Sequence, residues 1–211
     1  MEFTLTRSQA RQFYVLWQGL SGPYRWRTNT EIVTLIAQLG CLQFDPIDIC
    51  GRNADLVLQA RVGGYRKSQL ETLLYKDRKL IDALDKNMAI YAEQDYPMFA
   101  RNRIHTMSYH RVSEQIENAA AQIKQFMRTH PVICSQDLQW NENLVWVWGR
   151  TASLAAVALE VMLYRGDVVI HHRRGTIRYY NLTSARFPWL DPLADPFASD
   201  EEYYGWRVER R

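Results

Sequence analysis

Residues 151–182 read TASLAAVALEVMLYRGDVVIHHRRGTIRYYNL, and the change of period inside this stretch decides the fold. From Thr151 to Tyr164, Ala, Leu and Val recur at helical spacing, and Gly166 is placed to end the helix. Val168 to His172 then read as a strand, Arg173, Arg174 and Gly175 as a turn, and Thr176 to Leu182 as the returning strand of a β-hairpin. Upstream, an amphipathic helix is expected from about His110 to Thr129, with Val112, Ile116, Ala119, Ala120, Ile123 and Met127 on one side and Pro131 after it. Val132-Ile133-Cys134 reads as a short strand and Ser135 to Leu138 as a short helix. Helix, short strand, helix, helix, hairpin is the order of a winged helix.

The N-terminal half contains similar parts. Thr6-Arg7-Ser8-Gln9 fits a capping box, in which a hydroxyl and an amide satisfy orphan backbone donors of the first turn. Ala10, Phe13, Tyr14, Trp17 and Leu20 follow at helical spacing until Ser21-Gly22-Pro23 stops them. A second box, Thr28-Asn29-Thr30-Glu31, opens Ile32, Val33, Leu35, Ile36 and Leu39, with Gly40 closing the helix. Cys41 to Ile49 reads as extended chain, Leu56-Val57-Leu58 with Gly63-Gly64 as strand and turn, and Ser68-Gln69-Leu70-Glu71 as the start of a short helix through Tyr75. The expected fold class is therefore mainly α with small β-sheets, an α+β chain of tandem winged helices. The first domain is expected over 1–108 and the second over 109–187. Residues 188–211, with Pro188, Pro192, Pro196 and a capping box at Ser199-Asp200-Glu201-Glu202, read as a linker and the start of a truncated third domain.

The 211 residues are 47% hydrophobic and 23% charged, which excludes a disordered chain. No apolar run reaches the roughly 18 residues that cross a bilayer, and Met1-Glu2-Phe3 opens no signal peptide. Cys41, Cys50 and Cys134 are scattered without zinc-ligand spacing, which points to a reducing compartment and a cytoplasmic protein. The formal net charge of +3 is a mild excess, but arginine clearly outnumbers lysine, and arginine is the residue that forks onto phosphate and stacks on bases.

Chemistry is suggested by Leu42-Gln43-Phe44-Asp45-Pro46-Ile47-Asp48, where polar and apolar side chains alternate. In extended chain Gln43 and Asp45 share one face, about 7 Å apart, while Leu42 and Phe44 face the core. A carboxylate and an amide so placed can hold one water, the acid taking its proton and the amide fixing its orientation. On these residues alone a turn is the plainer reading, because Asp-Pro often begins one.

In its full context the stretch says more. Residues 39–66, LGCLQFDPIDICGRNADLVLQARVGGYR, resemble the hallmark segment of the YcaQ/AlkZ-type winged-helix DNA glycosylases, and the Leu70–Leu74 helix and the Arg178-Tyr179-Tyr180-Asn181-Leu182 strand are similar too. The resemblance runs to about Pro188. It implies tandem winged helices, followed in family members by a β-barrel, and removal of alkylated bases from DNA. The YcaQ-like branch, which unhooks interstrand crosslinks, carries Gln-apolar-Asp where the other branch carries Gln-apolar-Gln. Gln43-Phe44-Asp45 matches the former. By that carry-over Asp45 is the general base activating water against C1′ and Gln43 positions the water. An N7-alkylated guanine is already cationic and leaves without an acid, so one carboxylate suffices where ordinary glycosidases need two. No metal or other cofactor is expected, and the distance in sequence to Lys67 weighs against a Schiff-base mechanism. One departure bears on lesion range: a Trp/His-containing segment of the family is replaced by Ile81-Asp82-Ala83-Leu84-Asp85-Lys86-Asn87-Met88-Ala89.

The expected partner is double-stranded DNA carrying alkylated or crosslinked bases, met by a monomer without a membrane. His171, His172, Arg173 and Arg174 at the hairpin tip, and Arg52 and Asn53 after the motif, are the expected DNA contacts. His105 and His110 read as core or surface histidines, and Trp140, Trp146 and Trp148 as packing on the Thr151 helix rather than as a stacking platform. The alternative reading is a non-catalytic winged-helix DNA-binding protein such as a transcriptional regulator, to which Asp45 would be irrelevant.

Overall fold

The computed structural model describes residues 4–45, 47–109, 112–146 and 149–210; Pro46, His110 and Trp148, used in the sequence reading, lie outside them. The chain is mixed α/β, with helices and three small antiparallel sheets among the described residues. Both N-terminal capping boxes form. Thr6 caps α1 (Arg7–Trp17) and Thr28 caps α2 (Asn29–Leu39), each hydroxyl accepting from the third backbone N–H while Gln9 or Glu31 reaches back. The two helices differ in what they bury. α2 buries Ile32, Leu35 and Ile36, whereas α1 buries nothing and is pinned at its end by Gln38 and Arg61, which donate to the Trp17 and Gln18 carbonyls.

After β1 (Leu42–Gln43) comes a helix, α3 (Asn53–Gln59), where the sequence suggested a strand. The run Leu56-Val57-Leu58 fits either period. Burial of Ala54 and Leu58, four apart, with Leu56 left exposed, selects the helix. α4 (Lys67–Glu71) begins one residue before the expected Ser68, with Gln69 accepting the Arg66 N–H, and runs into a wider π turn, Thr72–Lys76. β2 (Leu80–Leu84) and β3 (Met88–Ala92) then form a hairpin not anticipated from the sequence. Its sheet has the order β1-β3-β2.

α5 (Ala100–Tyr109) leads to α6 (Glu114–Phe126), capped by Ser113 and so shorter than the expected helix. A second unanticipated hairpin, β4 (Asn143–Val145) with β5 (Thr151–Ser153), precedes α7 (Leu154–Arg165). α7 ends at Gly166 with φ of 83°. A Cβ there would also lie 2.8 Å from Arg103 Cδ, so backbone angle and space both call for glycine. The hairpin of β6 (Val168–Arg174) and β7 (Ile177–Leu182) forms as expected, but its turn is Gly175-Thr176, and the first strand runs two residues further than read. That shift places Arg173 on the strand, opposite Arg178, instead of at the tip. Ile133 pairs with Tyr180 on the outer side of β7. α8 (Thr183–Arg186) follows.

Three groups of buried side chains hold the chain together. One, centred on α2, α3 and α4, includes Leu42, Leu80 and Ile90, and a second on α6 and α7 includes Ile133 and Tyr180. The third joins Ile81, Ala83, Ala89 and Tyr91 of the β2–β3 hairpin to Phe99, to Val169 of β6 and to Phe187. The hairpin therefore has apolar cover on both faces. The tail belongs to this third group: in α9 (Asp200–Glu209), Trp206 meets Phe99 edge-on at 5.4 Å, and Arg207 and, just beyond the helix, Arg210 both pair with the buried Asp85.

Candidate active site

β1 supplies the motif, and its alternation is as the residues suggested. Leu42 is buried, Gln43 exposed, Phe44 half-buried against the first core group, and Asp45 partly covered. Register with β3 sets the row Gln43–Ala89–Ala83 across the sheet, and the Phe44 N–H donates to the Met88 carbonyl at 2.9 Å. The ladder stops there. Asp45 is held only locally: its Oδ1 accepts the Ile47 N–H at 3.0 Å, and Oδ2 has no hydrogen bond among the described residues. One carboxylate oxygen is thus fixed by a turn, and the other keeps its lone pairs for an incoming proton.

Small alanines beside Gln43 leave room, and a cavity of about 140 Å³ opens at this edge. It is lined by Gln43, Cys41, Ala89 and the β2–β3 turn, Asp85 to Met88. Asp45 is not among its lining residues. The turn contributes an amide (Asn87), an ammonium (Lys86) and a thioether (Met88). Its anchor is the Asp85 carboxylate, 1% exposed and clamped by Arg207 and Arg210. None of these residues was singled out as functional from the sequence, although Asp-Lys-Asn between two apolar runs is a recognisable turn signal. Lys86 also corrects an expectation. No lysine is near the motif in sequence, yet the hairpin brings this one into the cavity that Gln43 lines.

Arg52 and Asn53, expected at the DNA, are engaged inward. Asn53 Nδ2 donates to the Gln43 carbonyl at 3.1 Å. Arg52 pairs with Asp55, a 4% exposed carboxylate that also accepts from the Tyr65 hydroxyl at 2.6 Å. Burial works against the Arg52 charge, and Asp55 overcomes it, so the guanidinium sits above its ordinary range.

Arg173 is corrected more fully. Its side chain is 6% exposed; Nε donates to Asp82 Oδ2 at 2.8 Å, and the guanidinium carbon lies 3.9 Å from the centre of the Phe44 ring. A group so enclosed does not reach a phosphate. Burial raises the Asp82 carboxyl above its usual range, with Arg173 pulling the other way, and the Tyr75 hydroxyl donates to it at 3.3 Å.

Arg174 is exposed beside the turn, with its guanidinium 5.2 Å from the Tyr179 ring. His172 stacks on Tyr179 at 4.4 Å, and the Nδ1 atoms of His171 and His172 are 2.8 Å apart. Burial, then Arg78 and further charges, lower the pKa of His171; burial, then Arg174 and Arg78, lower that of His172. Both are thus neutral near pH 7. Arg78 Nη1 also donates to the His171 carbonyl at 2.7 Å. His105 is exposed, and Trp140 and Trp146 pack on the second core group. Among the described residues no cluster of three or more His, Cys, Asp or Glu could hold a metal ion, and no helix is long and apolar enough to cross a membrane.

The family model described as DNA glycosylase AlkZ-like matches residues 36–211, from the second half of α2 to the last residue. No curated protein and no solved structure matches the chain.

Proposed function

The chain belongs to the AlkZ-like DNA glycosylase family, and from that premise we propose that it hydrolyses the N-glycosidic bond of bulky or crosslinked N7-alkylguanine in duplex DNA. The observation that carries this reading is Gln43-Phe44-Asp45 itself, running off the end of a two-residue edge strand whose Gln43 lines an open cavity, with Asp45 Oδ2 uncommitted among the described residues. Asp45 takes a proton from water as the water attacks C1′, and its charge stabilises the oxocarbenium that develops. Gln43 orients that water. The departing base is already cationic and needs no acid, which suits a site with one carboxylate. The cavity beside Gln43 offers Asn87 to a base edge and Lys86 to a phosphate of the damaged duplex.

The element order supports two winged helices in tandem, over 1–108 and 109–187. In the first half, helix, strand, two helices and hairpin end in strand order β1-β3-β2. In the second, Ile133 takes the place of the first strand beside β7. Arg174, His171 and His172 of the second hairpin meet the duplex, and the protein works as a monomer on nucleoid DNA.

The test is base release from duplex carrying N7-alkylguanine. Asp45→Asn is expected to lower the single-turnover rate by about 10²–10⁴-fold while leaving affinity for the duplex in place. Equal rates for Asp45→Asn and the unaltered chain would overturn the reading. Tight sequence-specific binding to undamaged duplex without base release would favour the regulator instead.

A further inference from the structure

We propose that Arg173 is a positioning residue for the glycosylase motif, acting from the second half of the chain through Phe44. The inference rests on the reading of Gln43 and Asp45 given above. Its own basis is a contact between elements far apart in sequence. Arg173 on β6 pairs with Asp82 on β2 at 2.8 Å, both side chains almost wholly enclosed, and stacks at 3.9 Å on the ring that separates Gln43 from Asp45.

The motif needs such a support. β1 is two residues long, its ladder ends at the Phe44 N–H, and beyond that point Asp45 has only a turn contact to Ile47. The Phe44 side chain is then the last anchor before the carboxylate. It is only half-buried against the core, and the Arg173 guanidinium packs against its ring. A planar cation on an aromatic face resists both sliding and tilting of the ring, because both the attraction and the close packing are lost together. Aim matters here: a misplacement of about 1 Å costs a reacting group on the order of 10²-fold in rate.

Asp82 completes the device. It fixes the guanidinium edge-on, and the Tyr75 hydroxyl at 3.3 Å holds the same oxygen, so the cation cannot turn away from the ring. Stability alone is a weak explanation for this pair, since enclosing two charges is costly and an apolar pair of similar size would commonly serve as well. Placement of Phe44 supplies a reason for a planar cation.

Arg173→Lys tests the idea. It keeps a charge for Asp82 and removes the stacking plane. Phe44→Leu removes the ring without leaving any enclosed charge unpaired, and so remains informative if the lysine variant folds poorly. Each is expected to lower the single-turnover rate of base release by about tenfold to a hundredfold. The dissociation constant for damaged duplex and its salt dependence should stay unchanged, because Arg173 is no phosphate contact. The double variant is expected to be no slower than the worse single one, since both remove the same support.

Asp45→Asn, run alongside, separates this inference from the reading beneath it. If Asp45→Asn abolishes release while Arg173→Lys and Phe44→Leu both fold and release at the normal rate, the inference alone is overturned. Rate losses that multiply in the double variant, or a shallower salt dependence in Arg173→Lys, also overturn it. Normal release by Asp45→Asn overturns both.

Discussion

At the scale of single residues, position in the sheet governs what each side chain of the motif can do. The alternation of Leu42, Gln43 and Phe44 was legible because it is a local property, as was the turn at Asp45, and Leu42 and Phe44 face the core accordingly. Their surroundings were not legible. Lys86 and Asn87 reach Gln43 only because β3 pairs with β1, a contact between residues more than forty apart. Arg173 looked like a phosphate ligand because a basic hairpin reads as solvated until its acidic partner, 91 positions away, is known. Lys86→Ala checks the place of the turn in binding. We expect KM for damaged duplex to rise with kcat unchanged, and the slope of log affinity against log salt to fall by about 1, as for loss of one phosphate contact. A salt slope equal to that of the unaltered chain would remove Lys86 from the interface.

Elements show the same division between local and distant causes. α1, α2, α9 and the β6–β7 hairpin were readable from caps, periodicity and a glycine turn, all of which act within a few residues. α3 was misread because three consecutive apolar residues satisfy both periods, and only burial of Ala54 and Leu58 decides between them. The β2–β3 hairpin escaped notice because it is covered on both faces, so its strands lack a clean polar alternation. The β6–β7 hairpin carries a pH dependence of its own. His171 and His172 both titrate below the ordinary 6.5 in the folded chain, under the influence of burial and of Arg78, Arg174 and Arg186. Well above pH 6.5 both are neutral folded or unfolded and cost nothing. As pH falls below that value the unfolded chain takes up protons first, so stability declines until the folded-state pKa values are passed. Melting temperature should therefore drop between pH 7 and pH 5.5, and the pair His171→Asn with His172→Asn should flatten the drop. An unaltered slope in that variant would assign the effect to other groups.

For the molecule as a whole, the tail after α8 is not an accessory. Arg207 and Arg210 converge on Asp85, and Arg101 joins Asp195 and Asp200, so the tail after α8 is tied to the hairpin and to α5 by ionic contacts as well as by Trp206. Asp85→Ala removes the carboxylate that Arg207 and Arg210 share, leaving Arg210 to Asp95 and Arg207 to the Tyr203 hydroxyl, and we expect it to cost about 1–3 kcal/mol, read as a lower urea midpoint. The same variant should weaken damaged-duplex binding, because the turn bearing Lys86 and Asn87 loses its anchor. A midpoint within about 0.5 kcal/mol of the unaltered chain would show that the clamp contributes nothing.

The stacking of Arg173 on Phe44 has a consequence for engineering. A piece ending near residue 108 contains every atom proposed to take part in the reaction, yet it would leave Asp82 without its cation and Phe44 with one face open to solvent. The reactive stretch is therefore not a portable cassette: transplanted into another scaffold, it would carry its reagents without their alignment.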